Sequence, residues 1–311
     1  MIFAARDLLV SLAFFATVYC PLSLLVALAW RGAKHIRHAN AANDANLLFG
    51  LRIFPLALSI VITVFFTFPS FWMLERTPLD EDMVTFILAL CSLIILGAGL
   101  FRVLRAQART TRAVAHWLVG TTSIGGRAGT PVLSASHGAR ALILVGIRSP
   151  KVMVSDTAAA MLSDDELQVA LRHELGHVRS YDNLKKVLIS ATPFPGMGAI
   201  ERAWQEAAEL AADEAAVANR QEALDLAAAL IKLSISSQQW HKPLLATGLV
   251  SGSCSLSLRV RRLLQWRKAE PRLQHTPPWP LLILFTMIVG IASNYNAALL
   301  LTHRMTELLV P

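Results

Sequence analysis

The sequence predicts an α-helical polytopic membrane protein with four transmembrane helices and a cytoplasmic, mostly α domain that carries a small β-sheet. Of the 311 residues, 54% are hydrophobic and only 16% are charged, whereas soluble domains carry about 25% charged residues. The charges that flank the apolar segments are also distributed unequally. Four long segments contain no Asp, Glu, Lys or Arg: residues 8–30, 53–74, 83–101 and 279–301.

Each of these apolar segments is long enough to cross a bilayer. At about 1.5 Å per residue, a helix of this length spans the ~30 Å hydrocarbon core. A buried helix of a soluble protein would normally show a polar stripe. The first segment resembles a signal peptide, but it is longer than the usual apolar region and no small-residue cleavage site follows before Arg31. We therefore interpret it as a retained span.

The flanking charges predict the orientation of the spans. Basic residues follow the first and third segments and precede the fourth, whereas acidic residues dominate between the second and third. Short basic segments stay in the cytoplasm. All basic clusters fall on one side if both termini lie outside, which makes the region between the third and fourth spans cytoplasmic.

The basic balance of the chain does not indicate nucleic-acid binding. The net charge is +8, but these cations lie beside membrane spans, where anionic lipid headgroups attract them. No basic recognition element of the usual kinds is present. The three cysteines, Cys20, Cys91 and Cys254, form no disulfide framework.

The pattern of the chain predicts three regions. Residues 1–105 hold the first three spans, residues 106–276 form the cytoplasmic domain, and residues 277–311 hold the fourth span and a short external tail. Within the domain, the Arg-rich stretch through Trp117 continues as a helix along the membrane surface, and residues 120–138 are mostly loop with one short strand at 132–134. Further elements are expected as strands at 141–147 and 151–155, and as helices at 163–181, at about 201–218 and onward through 233.

Residues 187–200 are apolar but contain two prolines and two glycines. They are too short to span a bilayer as a helix, so we expect an interfacial or re-entrant segment, with a buried loop as the alternative.

The sequence HELGH at residues 173–177 is the strongest chemical signal. Ser163 and Glu166 form an S-x-x-E capping box that predicts the start of its helix. His173 and His177, four residues apart, share a helix face and can reach one metal ion. Zinc takes His nitrogen and, in catalytic sites, keeps one position open for water. Glu174 is offset from both histidines and is placed to act as general base.

The third ligand is expected from the later sequence EAAELAADEAAV. Four carboxylates compete there: Glu206, Glu209, Asp213 and Glu214. Glu209 and Asp213 share a face and are flanked by alanines, which let two helices approach closely. Glu209 would complete a His₂Glu set, and Asp213 would accept a hydrogen bond from a ligand histidine.

HELGH followed by ELAAD fits the gluzincin pattern. The longer match, LSDDELQVALRHELGHVRSYDN, then EAAELAADEAAV, then LSLRVRRLL, resembles the BlaR/MecR-type antirepressor membrane metallopeptidases. This resemblance implies a zincin-like domain facing the cytoplasm of a bacterial inner membrane and one Zn²⁺ per chain. His173, His177 and Glu209 would be the ligands, Glu174 the base, and Asp213 the aspartate closing E-x-x-x-D. Such proteases cleave themselves or a transcriptional repressor in response to a signal.

The chain departs from this family in one respect. About ten residues follow the fourth span, so we expect no extracellular penicillin-binding sensor domain, and a signal would arrive through a membrane partner or the spans. Two alternatives remain open. One is a housekeeping membrane-protein protease, although such proteases commonly place two spans between HExxH and the glutamate. The other is a non-enzymatic transducer that uses zinc structurally.

Four further residues near the motif are weaker candidates. Asp182 matches an acidic position of the family pattern and would brace the site, or simply form a helix end. Tyr181, Arg172 or Arg179 would stabilise the oxyanion that peptide hydrolysis develops, and nothing in the sequence selects one. Residues 141–147 would form an edge strand that pairs with an extended substrate, or an ordinary sheet strand.

Overall fold

The computed structural model describes most of the chain. The described residues are 2–33, 40–74, 83–118, 122–127, 130–135, 142–146, 149–236, 246–248, 256–266 and 295–309. The helices are α1 (Ile2–Ala33), α2 (Ala41–Ile62), α3 (Phe68–Leu74), α4 (Met83–Leu118), α5 (Asp156–Met161), α6 (Asp164–Arg179), α7 (Asp182–Ser190), α8 (Gly198–Ala216), α9 (Arg220–Ser236), α10 (Leu256–Leu264) and α11 (Tyr295–Leu309). The strands are β1 (Thr122–Arg127), β2 (Thr130–Ala135), β3 (Leu142–Val145), β4 (Lys151–Ser155) and β5 (Ala246–Gly248).

Three helical segments among the described residues are long and apolar enough to cross a membrane. They are Arg6–Gly32, Ala41–Ser70 and Met83–Arg112, so the prediction of a mostly helical membrane protein is confirmed. Most of the fourth predicted span, residues 279–301, lies outside the described residues.

Two of these helices are longer than their uncharged stretches suggested. α2 begins twelve residues before the predicted start at 53, because Arg52 is fully buried with hydrogen-bonding partners and does not end the helix. α4 continues without a break from the apolar segment through the Arg-rich stretch, which confirms the predicted helical continuation.

The chain divides into two compact units. The first comprises residues 1–32, 53–98 and 269–311. Within it, α1 and α4 pack through Ala13, Phe14 and Ala89. Long stretches of α4 expose large apolar side chains such as Leu93 and Ile94, which is the surface expected of a helix that faces lipid.

The second unit comprises residues 33–52 and 99–268 and contains all the candidate site residues. Its sheet has the order β1-β2-β4-β3-β5. β2 and β4 are parallel, and the other neighbouring pairs are antiparallel. Alternate residues of β3 and β4 pack with α6, α9 and α10 in one core, which includes Leu144, Val152, Leu230 and Leu263.

The sheet corrects two expectations. Residues 120–138, predicted as loop with one strand, contain both β1 and β2, because antiparallel pairing with β2 stabilises a glycine-containing segment that has no strand pattern of its own. Of the two alternatives for residues 141–147, the edge strand is wrong and the ordinary sheet strand is confirmed, because β3 lies between β4 and β5. Its partner comes about a hundred residues later and is only three residues long, too short to show a strand periodicity.

Candidate metal centre

Helix α6 carries both histidines of the motif on one buried face. The capping box is present: the Ser163 side chain accepts from the Glu166 backbone N–H, and the Glu166 carboxylate accepts from the Ser163 N–H at 2.8 Å. The side chains of His173 and His177 are almost fully buried, and their Nε2 atoms lie 3.2 Å apart. Two imidazole nitrogens this close, each with a lone pair to share, converge on one point.

Helix α8 brings Glu209 to the same point. Its Oε2 lies 3.7 Å from His173 Nε2, and its Oε1 lies 4.0 Å from His177 Nε2. The two helices approach closely: a Cβ added at Gly176 would lie 3.4 Å from the Ala212 Cα, in van der Waals contact. The predicted role of small residues between the two helices is therefore seen in the structure. His173, His177 and Glu209 form a buried group that could hold a metal ion.

Each histidine has an aspartate behind it. His173 Nδ1 lies 2.9 Å from Asp213 Oδ1, and His177 Nδ1 lies 2.6 Å from Asp182 Oδ2. Both carboxylates are buried. A carboxylate at Nδ1 favours the tautomer that leaves Nε2 unprotonated, so both Nε2 lone pairs face the shared point.

Arg259 of α10 is the site residue that sequence reasoning missed. Its Nε and Nη2 donate to the two oxygens of Asp213 at 2.7 and 2.6 Å, and its Nη1 lies 3.0 Å from Glu209 Oε2. Burial raises the pKa of Asp213, but the charge and hydrogen bonds of Arg259, together with His173, outweigh burial and lower it to about 2. The spacing along the chain could have indicated that Arg259 is buried, because it shares a helix face with Leu256 and Leu263, inside the apolar stripe of its helix.

The electrostatics of the site favour a cation. Burial lowers the pKa of His177, but the hydrogen bond to Asp182 and the charges of Glu209, Asp182 and Glu174 outweigh it, so the pKa is raised. Burial lowers the pKa of Lys186, against the opposing charges of the same three carboxylates. Glu174 is fully buried beside the two histidines. The negative charges of Glu174, Asp182 and Glu209 therefore act on one small volume. A divalent cation bound there would balance these charges.

The other candidates are engaged elsewhere. Glu214 pairs with Arg262 at 2.6 Å on the surface, and Arg172 pairs with Glu222 at 3.0 Å. Tyr181 is exposed and adopts a left-handed backbone conformation before α7. Arg179 is exposed, and Glu206 is half-buried. Of the four competing carboxylates, the structure brings Glu209 and Asp213 to the histidines.

The comparison with known families agrees with this arrangement. The profile of the BlaR1 peptidase M56 family matches residues 81–263, more than half of the chain. The chain belongs to the BlaR1 peptidase M56 family. The matched region runs from the start of α4 through most of α10, so it includes every residue of the buried site, Arg259 among them. M56 membership makes the protein a member of a membrane metallopeptidase family. No curated protein matches the chain.

Proposed function

We propose that this M56 protein is a zinc-dependent membrane metalloendopeptidase, with His173, His177 and Glu209 as ligands of one Zn²⁺ per chain and Glu174 as general base. The observation that carries the proposal is the convergence of the two Nε2 atoms and the Glu209 carboxylate in a buried, acidic site. Two imidazoles and one carboxylate, each imidazole backed by a carboxylate, are the donor set that zinc uses in hydrolases.

The residues of the chain divide the work of peptide hydrolysis. A bound divalent cation supplies Lewis acidity, lowering the pKa of water and polarising the substrate carbonyl. The Glu174 carboxylate would accept a proton from water as the water oxygen bonds to the carbonyl carbon, and would then deliver that proton to the amide nitrogen, so that the C–N bond breaks and the amine leaves. Asp213 and Asp182 hold the ligand histidines in orientation, and Arg259 holds Asp213 and Glu209.

We further propose a regulatory role in which the enzyme cleaves itself or a transcriptional repressor after a signal from a membrane partner or from the spans. The resemblance to antirepressor peptidases supports this role. So does β5, a segment of the chain itself, which pairs with the strand that was one candidate for binding an extended substrate and packs against α6 and α7. The flanking charges support a multi-pass protein of the bacterial cytoplasmic membrane, with four spans, both termini outside and the 106–276 domain in the cytoplasm.

The decisive experiment is Glu174→Gln in the full chain. We expect it to retain zinc and thermal stability while losing proteolysis by about 10²–10⁴-fold. Zinc content and cleavage of the chain itself and of a casein substrate are measured beside Glu214→Gln, a matched control whose carboxylate lies in the surface pair with Arg262. If the wild type and Glu174→Gln both hold zinc and neither cleaves either substrate, the site serves a non-enzymatic transducer. If Glu174→Gln cleaves like the wild type, Glu174 is not the general base.

The Glu174→Gln protein also serves as a substrate trap in cells. After crosslinking, recovery of the chain itself or of one transcriptional regulator would support the regulatory role. Recovery of a broad mixture of unfolded membrane proteins would instead support housekeeping proteolysis.

A further inference from the structure

Helix α7 buries polar residues beside Ile189 and exposes two leucines, unlike a helix on the surface of a soluble domain. Its polar residues face protein: Asp182 and Asn183 are buried, and Lys185 Nζ donates to Asn46 of α2 at 3.0 Å. Its outward residues are apolar: Leu184 is 41% exposed and Leu188, one turn on, is 39% exposed. A helix that turns its charges inward and its leucines outward is suited to lipid rather than water.

The end of α7 lies against two helices that are candidate membrane spans. A Cβ added at Gly99 of α4 would collide with the carbonyl oxygen of Ala191 and touch Pro193. Gly99 is only three residues before Arg102, an exposed arginine, which corresponds to about 4.5 Å along the helix axis. The turn after α7 is therefore on the apolar side of the first exposed arginine of α4 and within one helical turn of it.

Arg52 of α2 donates hydrogen bonds to the backbone of this turn. Its guanidinium donates to the carbonyl oxygens of Ile189 and Thr192, to Thr192 Oγ1 at 3.2 Å, and to Glu201 Oε1 at 3.0 Å. The last carbonyls of a helix have no partner within the helix, and in lipid they find no water. A fully buried arginine that bonds them makes the break between α7 and α8 compatible with the membrane.

We propose that the segment from α7 to the start of α8 is seated in the lipid headgroup region, so that the metal site acts on peptide bonds close to the membrane surface. The substrate part of this inference rests on the proposed peptidase function. Asp182, which pairs with His177, is nine residues from Ala191, so α7 separates them by at most about 14 Å. A chain anchored in the membrane then needs only about four extended residues to reach the site, so membrane-anchored or juxtamembrane segments are the substrate class that this seating favours.

Spin labelling of the full chain in phospholipid nanodiscs tests the seating of α7. Two variants, Leu188→Cys and Leu224→Cys, are made in a chain whose native cysteines are replaced, and each carries a nitroxide on its single cysteine. Leu224 of α9 is the matched control, because it is a helical leucine with a similar exposure of 37%. We expect oxygen to relax the label at 188 several-fold more than a water-soluble nickel chelate does, and the reverse at 224. Equal behaviour at both sites, or shielding of 188 from both reagents by a partner or second copy, overturns the proposal.

A tethered substrate tests the reach of the site. A disordered casein segment is placed directly after a single apolar span, or separated from that span by a long flexible spacer. We expect the juxtamembrane version to be cleaved at least several-fold faster. Equal rates overturn the assigned substrate class. Cleavage of neither version contradicts the peptidase function, whereas the seating of α7 is decided by the spin labels alone.

Discussion

The two histidine–aspartate pairs of the site both bring a carboxylate oxygen within 3 Å of Nδ1, but they are supported in different ways. His173 of α6 and Asp213 of α8 are forty residues apart in the chain. Arg259 of α10 donates two hydrogen bonds to the aspartate. His177 and Asp182 are only five residues apart. Behind Asp182, Lys185 Nζ lies 3.9 Å from the carboxylate, which stands in the first turn of α7.

The difference shows two ways to position a buried carboxylate behind a histidine. Asp213 relies on a buried arginine, which compensates the cost of removing its charge from water. Asp182 relies on a strong local hydrogen bond and on the positive end of the α7 helix dipole. The first pair therefore ties three helices together, whereas the second pair ties α6 to the short helix that follows it. Disruption of the first should cost global stability, and disruption of the second should act mainly on the metal.

The largest expected effect comes from Arg259→Gln. It leaves the buried carboxylates of Glu209 and Asp213 adjacent without their cation, a loss that costs about 3–5 kcal/mol for a buried pair. Thermal unfolding of the metal-free protein in detergent measures this cost. Arg262→Gln, which breaks the exposed pair with Glu214, is the control and should cost below about 1 kcal/mol. Equal losses of unfolding free energy in the two variants would show that the buried pairs of Arg259 stabilise the fold no more than the exposed pair does.

A smaller effect separates the two aspartates. Asp213→Asn and Asp182→Asn should each weaken zinc binding by about 10–100-fold, because each alters the hydrogen bond behind a ligand histidine. Asp213→Asn should also lower the unfolding temperature of the metal-free protein, because Arg259 loses its carboxylate partner. Chelator competition and thermal unfolding measure the two quantities, with Asp225→Asn on α9 as control. The comparison fails if Asp182→Asn destabilises the metal-free protein more than Asp213→Asn does.

The parts of the site that could be predicted from the sequence are those with a local signature. His173 and His177 share a helix turn, and Glu209 and Asp213 repeat that spacing on a second helix, so their common faces followed from helix geometry. Arg259 had no such signature, because it stands among other arginines whose charges were assigned to the membrane surface. The early start of α2 was missed for a related reason: Arg52 looked like the end of a span, and its buried partners lie about 140 residues away.

The smallest effect concerns the helix that both pairs share. The Glu166 carboxylate caps α6 through Ser163 and accepts from Lys232 Nζ at 2.7 Å. Burial raises its pKa, but these hydrogen bonds and the Lys232 charge outweigh burial, so the pKa is lowered from 4.5. A lowered pKa in the folded state means that the stabilisation is present above pH 4.5 and is lost as the pH falls through the folded value.

Glu166→Gln should therefore destabilise the protein by about 1 kcal/mol near neutral pH, because it removes the negative charge that pairs with Lys232 and faces the N-terminus of α6, while a glutamine still completes the capping box. The difference from the wild type should shrink as the pH is lowered below 4.5, and thermal unfolding across this pH range measures it. Asp164→Asn, an exposed change in the first turn of α6, is the control. Because the cap lies on the helix that carries both histidines, zinc affinity should fall by the same small factor in Asp213→Asn and Asp182→Asn backgrounds. An effect confined to one background would mean that the pairs, rather than the shared helix, set the spacing of the ligands.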